Sequence, residues 1–381
     1  MTTSQLLCDH LVTPNATLEP GLVTVSDGLI TAVGRPGAED AAGAVRISDW
    51  TVPGFVDSHV HGGGGASYPT TDAAEALRAR DFHRHCGTTT SFASLVTADL
   101  GTLCAQIATL VPLVVAGHFA GIHLEGPFLS PARHGAHDPA LLRHPDAAAL
   151  DRLLAAGEGQ ITMITLAPEL PGALAAIERI VAAGAVAAIG HTDGDHTAAA
   201  EALDAGATVV THLFNAMPGV HHREPGPIPL LLSDRRAMVE LICDGFHLHP
   251  DVVALAIAAA GPERVALVTD AMAAAGAPDG HYSLGDHRSV SVVGGQARLV
   301  TADGRPGTIA GSTLTMAAAF AAVVAAGVPI PATASMAATT PARRHRLAGA
   351  GVLEAGARAD LCVVDDQGSL LRVMQSGRWI R

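Results

Sequence analysis

Two histidines one residue apart, His59 and His61, end the apolar run Val52-Pro-Gly-Phe-Val-Asp-Ser-His-Val-His and open a run of glycines, 62–65. On an extended strand, residues i and i+2 share a face, so both imidazoles are expected to converge on one point. Imidazole is the commonest metal ligand near neutral pH. Further groups of the same kind follow at intervals. Glu125 closes Gly121-Ile-His-Leu-Glu, His191 follows Ala188-Ile-Gly, His212 follows Val210-Thr, and Asp270 follows Val265-Ala-Leu-Val-Thr. Each has an ordinary explanation alone: a turn at Glu125-Gly126-Pro127, hydrogen-bonded core histidines, a helix cap at Asp270. Together they are the ligand types of a catalytic zinc-like centre. Such a centre polarises a carbonyl and activates water, and a carboxylate beside it can carry the proton.

These residues need a frame that brings chain-distant groups to one place. Apolar strand segments are expected to end near His61, Val96, Glu125, Ala167, His191, His212, Asp244 and Asp270. Helix-like segments follow, for example Asp72–Cys86, Leu174–Ala183 and Thr197–Ala205. Eight such units predict an α/β fold, a (β/α)8 TIM barrel, in which catalytic groups sit at the C-terminal strand ends. No GxGxxG turn follows any strand, which disfavours a doubly wound sheet. Both chain ends read as strands alone, with a hairpin signal at Asp27-Gly28. We therefore expect a small β-sandwich domain formed from 1–51 and 345–381, with Trp50 and Trp379 in its core, and a barrel over 52–344. After the eighth strand, Tyr282 to Val300 reads as a hairpin or small sheet. Ser312 or Thr313 is a plausible cap for a last, buried helix running to about Ala326.

Composition narrows the class. The 381 residues are 49% hydrophobic and 15% charged, enough for a large core. A net charge of −13 argues against a nucleic-acid or anionic-membrane surface. All 23 basic residues are arginine, which excludes Schiff-base, P-loop and metal-bridging carboxylated lysines. The five cysteines are scattered without a CxxC, as expected of reduced thiols in a cytoplasmic protein. No signal peptide and no span long enough to cross a bilayer are expected.

The motifs resemble the amidohydrolase superfamily, and within it the branch that deacetylates phosphorylated amino sugars. They are Pro53-Gly-Phe-Val-Asp-Ser-His-Val-His-Gly, His123-Leu-Glu-Gly-Pro-Phe, Gly135-Ala-His-Asp-Pro, Gly190-His-Thr, Thr211-His-Leu-Phe-Asn-Ala-Met-Pro, Arg223-Glu-Pro-Gly, Asp244-Gly-Phe-His, Val268-Thr-Asp-Ala and Gly307-Thr-Ile-Ala-Gly-Ser. The resemblance implies one or two divalent ions, zinc foremost. Glu125, His191 and His212 would hold the main ion, and His59 and His61 would serve a second. Asp270 would be general base and then acid, and His137 would contact the acetamide carbonyl. Ala136, Asn215, Ala216, Arg223, His247 and Ile309 would bind the sugar phosphate, within a homodimer in which His247 could reach a neighbouring subunit's site. The implied reaction is hydrolysis of N-acetyl-D-glucosamine 6-phosphate to D-glucosamine 6-phosphate and acetate. N-Acetylgalactosamine 6-phosphate is the alternative substrate, and a non-catalytic metal-binding barrel the alternative of another class.

Overall fold

The structure is a computed structural model that describes residues 3–37, 43–285 and 288–381. Eight strands form one sheet: β1 (Phe55–Asp57), β2 (Thr88–Val96), β3 (Gly121–Glu125), β4 (Ile161–Leu166), β5 (Val186–Ile189), β6 (Val209–Val210), β7 (Met238–Ile242) and β8 (Val265–Val268). They lie in sequence order, and every pair from β2 to β8 is parallel. Just past the ends of β8 and β1 the ring is tied by the Asp270 N–H, which donates to the His59 carbonyl at 2.8 Å. This is the TIM barrel that the strand–helix alternation predicts. Strands buried on both faces read as continuous apolar runs. Met163, Ile164, Leu166, Val239, Leu241, Val265 and Leu267 are all buried.

Helices follow the strands where local signals place them. Asp99, Asp146 and Asp195 cap Leu100–Val115, Ala147–Gly157 and His196–Asp204, each side chain accepting backbone N–H groups that the first turn leaves unpaired. The helix Met316–Ala325 is not the last as expected, since helices Ile330–Ala334 and Thr340–Arg344 follow it. It is capped by Thr315, whose hydroxyl accepts from Ala318 N–H. This corrects the expected cap. Ser312 instead donates its hydroxyl to the Thr269 carbonyl at 2.6 Å, tying down the chain beside Asp270.

The chain forms two compact units, 1–57 with 81–90 and 315–381, and 58–80 with 91–314. In the first, strands from both chain ends make one mixed sheet. Val45–Pro53 pairs in parallel with Thr3–Val12 and antiparallel with Leu361–Val364. Leu6, Val23, Val25 and Ile30 from one end share a core with Leu361, Val363 and Met374 from the other, which is the small β-sandwich. The tryptophans flank this core: Trp379 packs at its edge under Arg372, and half-buried Trp50 donates to Asp366 at 2.9 Å.

In the second unit, an antiparallel sheet follows β8: Gly280–Leu284, Arg288–Val293, Gln296–Val300 and Pro306–Ile309. Val290, Val292, Ala297 and Leu299 bury against Met272 and Ala310, with Ala136 packed alongside. Among the described residues, no helix is long and apolar enough to cross a membrane.

Candidate active site

The strands stop short of the residues they position. β1 ends at Asp57, β5 at Ile189, β6 at Val210 and β8 at Val268, so His59, His61, His191, His212 and Asp270 lie in the turns just beyond. His191, His212 and Asp270 adopt left-handed backbone angles, φ 48°, 29° and 49°. Such angles cost a non-glycine residue about 1–3 kcal/mol and persist only where surrounding contacts enforce them. Here they turn the side chains from the barrel wall towards its axis.

Glu125, buried at the end of β3, is the hub. Its Oε1 lies 3.1 Å from His191 Nε2 and 2.9 Å from His212 Nε2, and these two nitrogens are 3.1 Å apart. Its Oε2 lies 3.2 Å from His61 Nε2. That nitrogen is also 3.2 Å from Asp270 Oδ1 and 3.1 Å from His59 Nε2. Two overlapping groups result, Glu125–His191–His212 and His59–His61–Glu125–Asp270, with ligand atoms in each within 4.8 Å of one another.

The far side of each ring shows what these groups are built to hold. His191 Nδ1 faces the Arg133 carbonyl at 2.8 Å, and His61 Nδ1 faces the Ser94 carbonyl at 3.1 Å. A carbonyl only accepts, so Nδ1 carries a proton, and each Nε2 faces the Glu125 carboxylate with a second proton when the ring is charged and a lone pair when it is neutral. A neutral ring's lone pair against carboxylate at this distance requires a cation in place of that second proton. His59 Nδ1 is likewise 3.3 Å from buried Glu240, whose other oxygen accepts from Ser58 at 2.8 Å. Carboxylates and carbonyls behind imidazoles are the usual supports of metal-ligating histidines. The residues therefore fit a divalent cation.

Titration behaviour records the same demand. Burial would lower His61, yet the Asp270 and Glu125 carboxylates raise it to about 9, and His59 rises in the same way. Burial would raise Asp270, yet His59 and His61 hold it down at about 2. Glu125 is also held well below the usual carboxylate range: burial opposes this, and His59, His137 and His191 outweigh it.

His137 differs. Burial pushes it down to about 4, leaving a neutral ring. Its Nδ1 accepts from the Thr97 backbone N–H at 3.4 Å and meets the Thr97 hydroxyl at 2.8 Å, so its proton sits on Nε2, 3.4 Å from Glu125. It presents a donor to the centre where the His61 and His191 rings, when neutral, present lone pairs.

A cavity of about 510 Å³ opens over this centre. His61, Glu125, His137, His191, His212 and Asp270 line its floor, and Ala136, Asn215, Ala216, His247 and Ile309 line its walls. His59 lies behind His61, fully buried. Arg223 is exposed on the loop after β6 and does not line the cavity of its own chain. Asp244 orients His247, accepting from Nδ1 at 2.7 Å.

Several residues at the site escape the sequence reading. Glu240 is one, though a lone carboxylate inside the apolar run Met238–Ile242 was a usable signal. Arg288 and Arg298 project into the cavity from the sheet after β8, Arg288 donating to the His137 carbonyl at 2.9 Å. Gln106, one helix turn beyond Thr102, also lines the wall.

Comparison with known proteins agrees with this geometry. Residues 50–380 match the Amidohydrolase family. An N-acetylgalactosamine-6-phosphate deacetylase of Escherichia coli O157:H7 is 36% identical over 372 residues, covering 95% of both chains. An N-acetylglucosamine-6-phosphate deacetylase of Bacillus subtilis (strain 168) is 35% identical over 321 residues, 80% of this chain and 78% of that one. The solved structure of a mutant N-acetyl-D-glucosamine-6-phosphate deacetylase from Mycobacterium smegmatis, in complex with N-acetyl-D-glucosamine-6-phosphate, superposes with a TM-score of 0.95. It is 45% identical, covering 100% of this chain and 99% of that one.

Proposed function

Because this chain belongs to the amidohydrolase family, we propose that it hydrolyses the acetamide of N-acetyl-D-glucosamine 6-phosphate, releasing acetate and D-glucosamine 6-phosphate. The observation that carries this reading is the convergence, in one cavity, of the Glu125–His191–His212 group, the Asp270 carboxylate and the His137 Nε2 donor. A divalent cation, zinc by its ligand types, is assigned to Glu125, His191 and His212, with a second at His59, His61, Glu125 and Asp270. When bound, it polarises the amide carbonyl and lowers the pKa of water from 15.7 towards about 7.

The chain's own groups divide the rest of the work. Asp270, ionised at neutral pH, takes a proton from the hydrolytic water as the oxygen attacks the carbonyl carbon. His137, neutral and protonated on Nε2, donates a hydrogen bond to the carbonyl oxygen as charge builds there. Asp270 then gives its proton to the nitrogen, the C–N bond breaks, and the amine and acetate leave. Asn215, the Ala216 backbone and His247 receive the phosphate end, and Ala136 and Ile309 flank the sugar. Arg223, exposed in its own chain, is assigned to the phosphate of a neighbouring subunit in a homodimer, where its planar fork suits phosphate oxygens. The five free cysteines support a cytoplasmic location.

The test is acetate release by metal-loaded protein from the 6-phosphates of N-acetylglucosamine and N-acetylgalactosamine and from the unphosphorylated sugars. No release from either phosphate overturns the proposal. Faster turnover of the galacto epimer establishes the second reading, which the Escherichia coli relative supports. Mixing Arg223→Ala with Asp270→Asn chains should restore activity; no restoration removes the shared site.

A further inference from the structure

His191 holds a left-handed backbone angle, φ 48°, which a residue other than glycine leaves unless its surroundings forbid it. The chain is anchored on both sides of it to the neighbouring strand. Before it, the Gly190 N–H donates to the Leu166 carbonyl at the end of β4, at 3.2 Å. After it, two groups reach Glu169, just past that end. The Thr192 hydroxyl donates to Glu169 Oε2 at 2.5 Å, and the Asp193 N–H donates to Oε1 at 2.7 Å. Thr192 is fully buried, and its hydroxyl also accepts from the Gly194 N–H at 2.9 Å.

Glu169 is itself fixed in place. Pro168 restricts the backbone ahead of it. The Ala167 N–H donates to the Phe128 carbonyl at 2.9 Å, and the Leu170 N–H closes a turn on the Ala167 carbonyl at 3.3 Å. The loop after β3 joins the same clasp. The Ser130 N–H donates to the His191 carbonyl at 2.9 Å, and the Arg133 carbonyl accepts from His191 Nδ1 at 2.8 Å. Arg133 Nε also donates to Asp193 at 2.7 Å, but both side chains are over a third exposed, and such pairs contribute little. Glu169 grips both a side chain and the backbone directly after His191, yet it does not line the cavity.

We infer that Glu169 is a positioning residue for the main cation: by gripping Thr192 and Asp193 it holds His191 at its strained angle in advance, so that the ring needs no rearrangement to ligate. This rests on the assignment above of a divalent cation to Glu125, His191 and His212. Without the grip, the chain after His191 is free to relax to an ordinary φ. Cation binding must then restore the strained turn, and the affinity falls by the free energy of that restoration.

Zinc affinity, read by competition with a chelator on the full chain, tests this together with the melting temperature of the metal-free protein. Glu169→Ala should weaken zinc binding by about 10–100-fold. Excess zinc should return most of the turnover. The metal-free melting temperature should move little, because relaxation of the strained turn offsets the lost hydrogen bonds. A carboxylate that only braces the loop predicts the reverse, a lower melting temperature with zinc affinity unchanged, and that result overturns the proposal. Glu169→Gln keeps the volume and an acceptor for the Asp193 N–H, and should show a smaller loss of about three- to tenfold. If Glu169→Ala fails to fold, Glu169→Gln decides, and wild-type affinity in that variant overturns the proposal. A wild-type protein that takes up no divalent cation refutes the metal assignment itself, whereas wild-type uptake unaltered in both variants refutes only the role of Glu169.

Discussion

Replacing Asp270 by asparagine tests the proton-transfer step, because the structure makes that change nearly silent in the backbone and leaves the Glu125–His191–His212 group whole. Asp270 sits at φ 49°, a region that Asn tolerates far better than most residues. Its backbone is held on both sides, its N–H donating to the His59 carbonyl and its carbonyl accepting from the Ser312 N–H, each at 2.8 Å. Asparagine keeps these bonds and the side-chain shape but cannot accept a proton. It also removes the negative charge 3.2 Å from His61 Nε2, while leaving Glu125, His191 and His212 intact. Metal content should therefore persist at the Glu125–His191–His212 group, and substrate should still bind. Turnover should fall by about 10²–10⁴, the usual worth of a general acid–base. That corresponds to about 3–5 kcal/mol of barrier. Alanine is a poorer probe, since at this φ it adds about 1–2 kcal/mol of backbone strain. The assay is acetate release alongside metal analysis and substrate-analogue titration on the same preparation. Near-normal turnover with metal in place would remove Asp270 from the proton path. Loss of metal and substrate binding along with turnover would show that the carboxylate acts as a ligand and not as a base.

Four further outcomes are expected. Chelation should abolish turnover while far-ultraviolet circular dichroism stays unchanged, because the barrel core does not depend on the centre; activity in metal-free protein refutes this. Cation uptake should weaken as pH falls and release protons when measured between about pH 6 and 9, since His61, raised to about 9, must lose its proton to bind; uptake independent of pH contradicts it. Glu240→Gln keeps the volume but removes the charge 3.3 Å behind His59, and should cost about 10–100-fold in metal affinity, read by competition with a chelator. Gly126→Ala should lower both the melting temperature and turnover, because φ is 95° there and a Cβ would stand 2.2 Å from the Thr97 hydroxyl that holds His137; an unperturbed variant would mean the loop yields freely.

Local physics made much of this protein legible in its sequence. Apolar runs alternating with amphipathic Ala-rich segments determine a parallel barrel, because strands buried on both faces can be only apolar and each needs a crossover helix. Helix starts at Asp99, Asp146 and Asp195 follow from the capping chemistry of a single side chain. Residues of ligand type just past the strands are visible because so few polar groups interrupt those runs. Tertiary structure decided what no short window contains. The His-x-His pair converges not because a strand holds it but because Ser94 and Glu240, far along the chain, orient rings that lie past the end of β1. Which nitrogen of each histidine carries the proton depends on the carbonyl or hydroxyl facing its other side, and this separates His137, a donor, from His61 and His191, bearers of lone pairs when neutral. Ser312 could have been a cap until the fold placed the Thr269 carbonyl 2.6 Å from its hydroxyl. Arg223 reads as a pocket residue from its motif, yet in its own chain it is exposed, because a motif records chemistry and only packing determines which cavity a side chain can reach. Gln106 is one polar residue among many on a helix until the fold buries its Oε1 without a hydrogen-bond partner among the described residues.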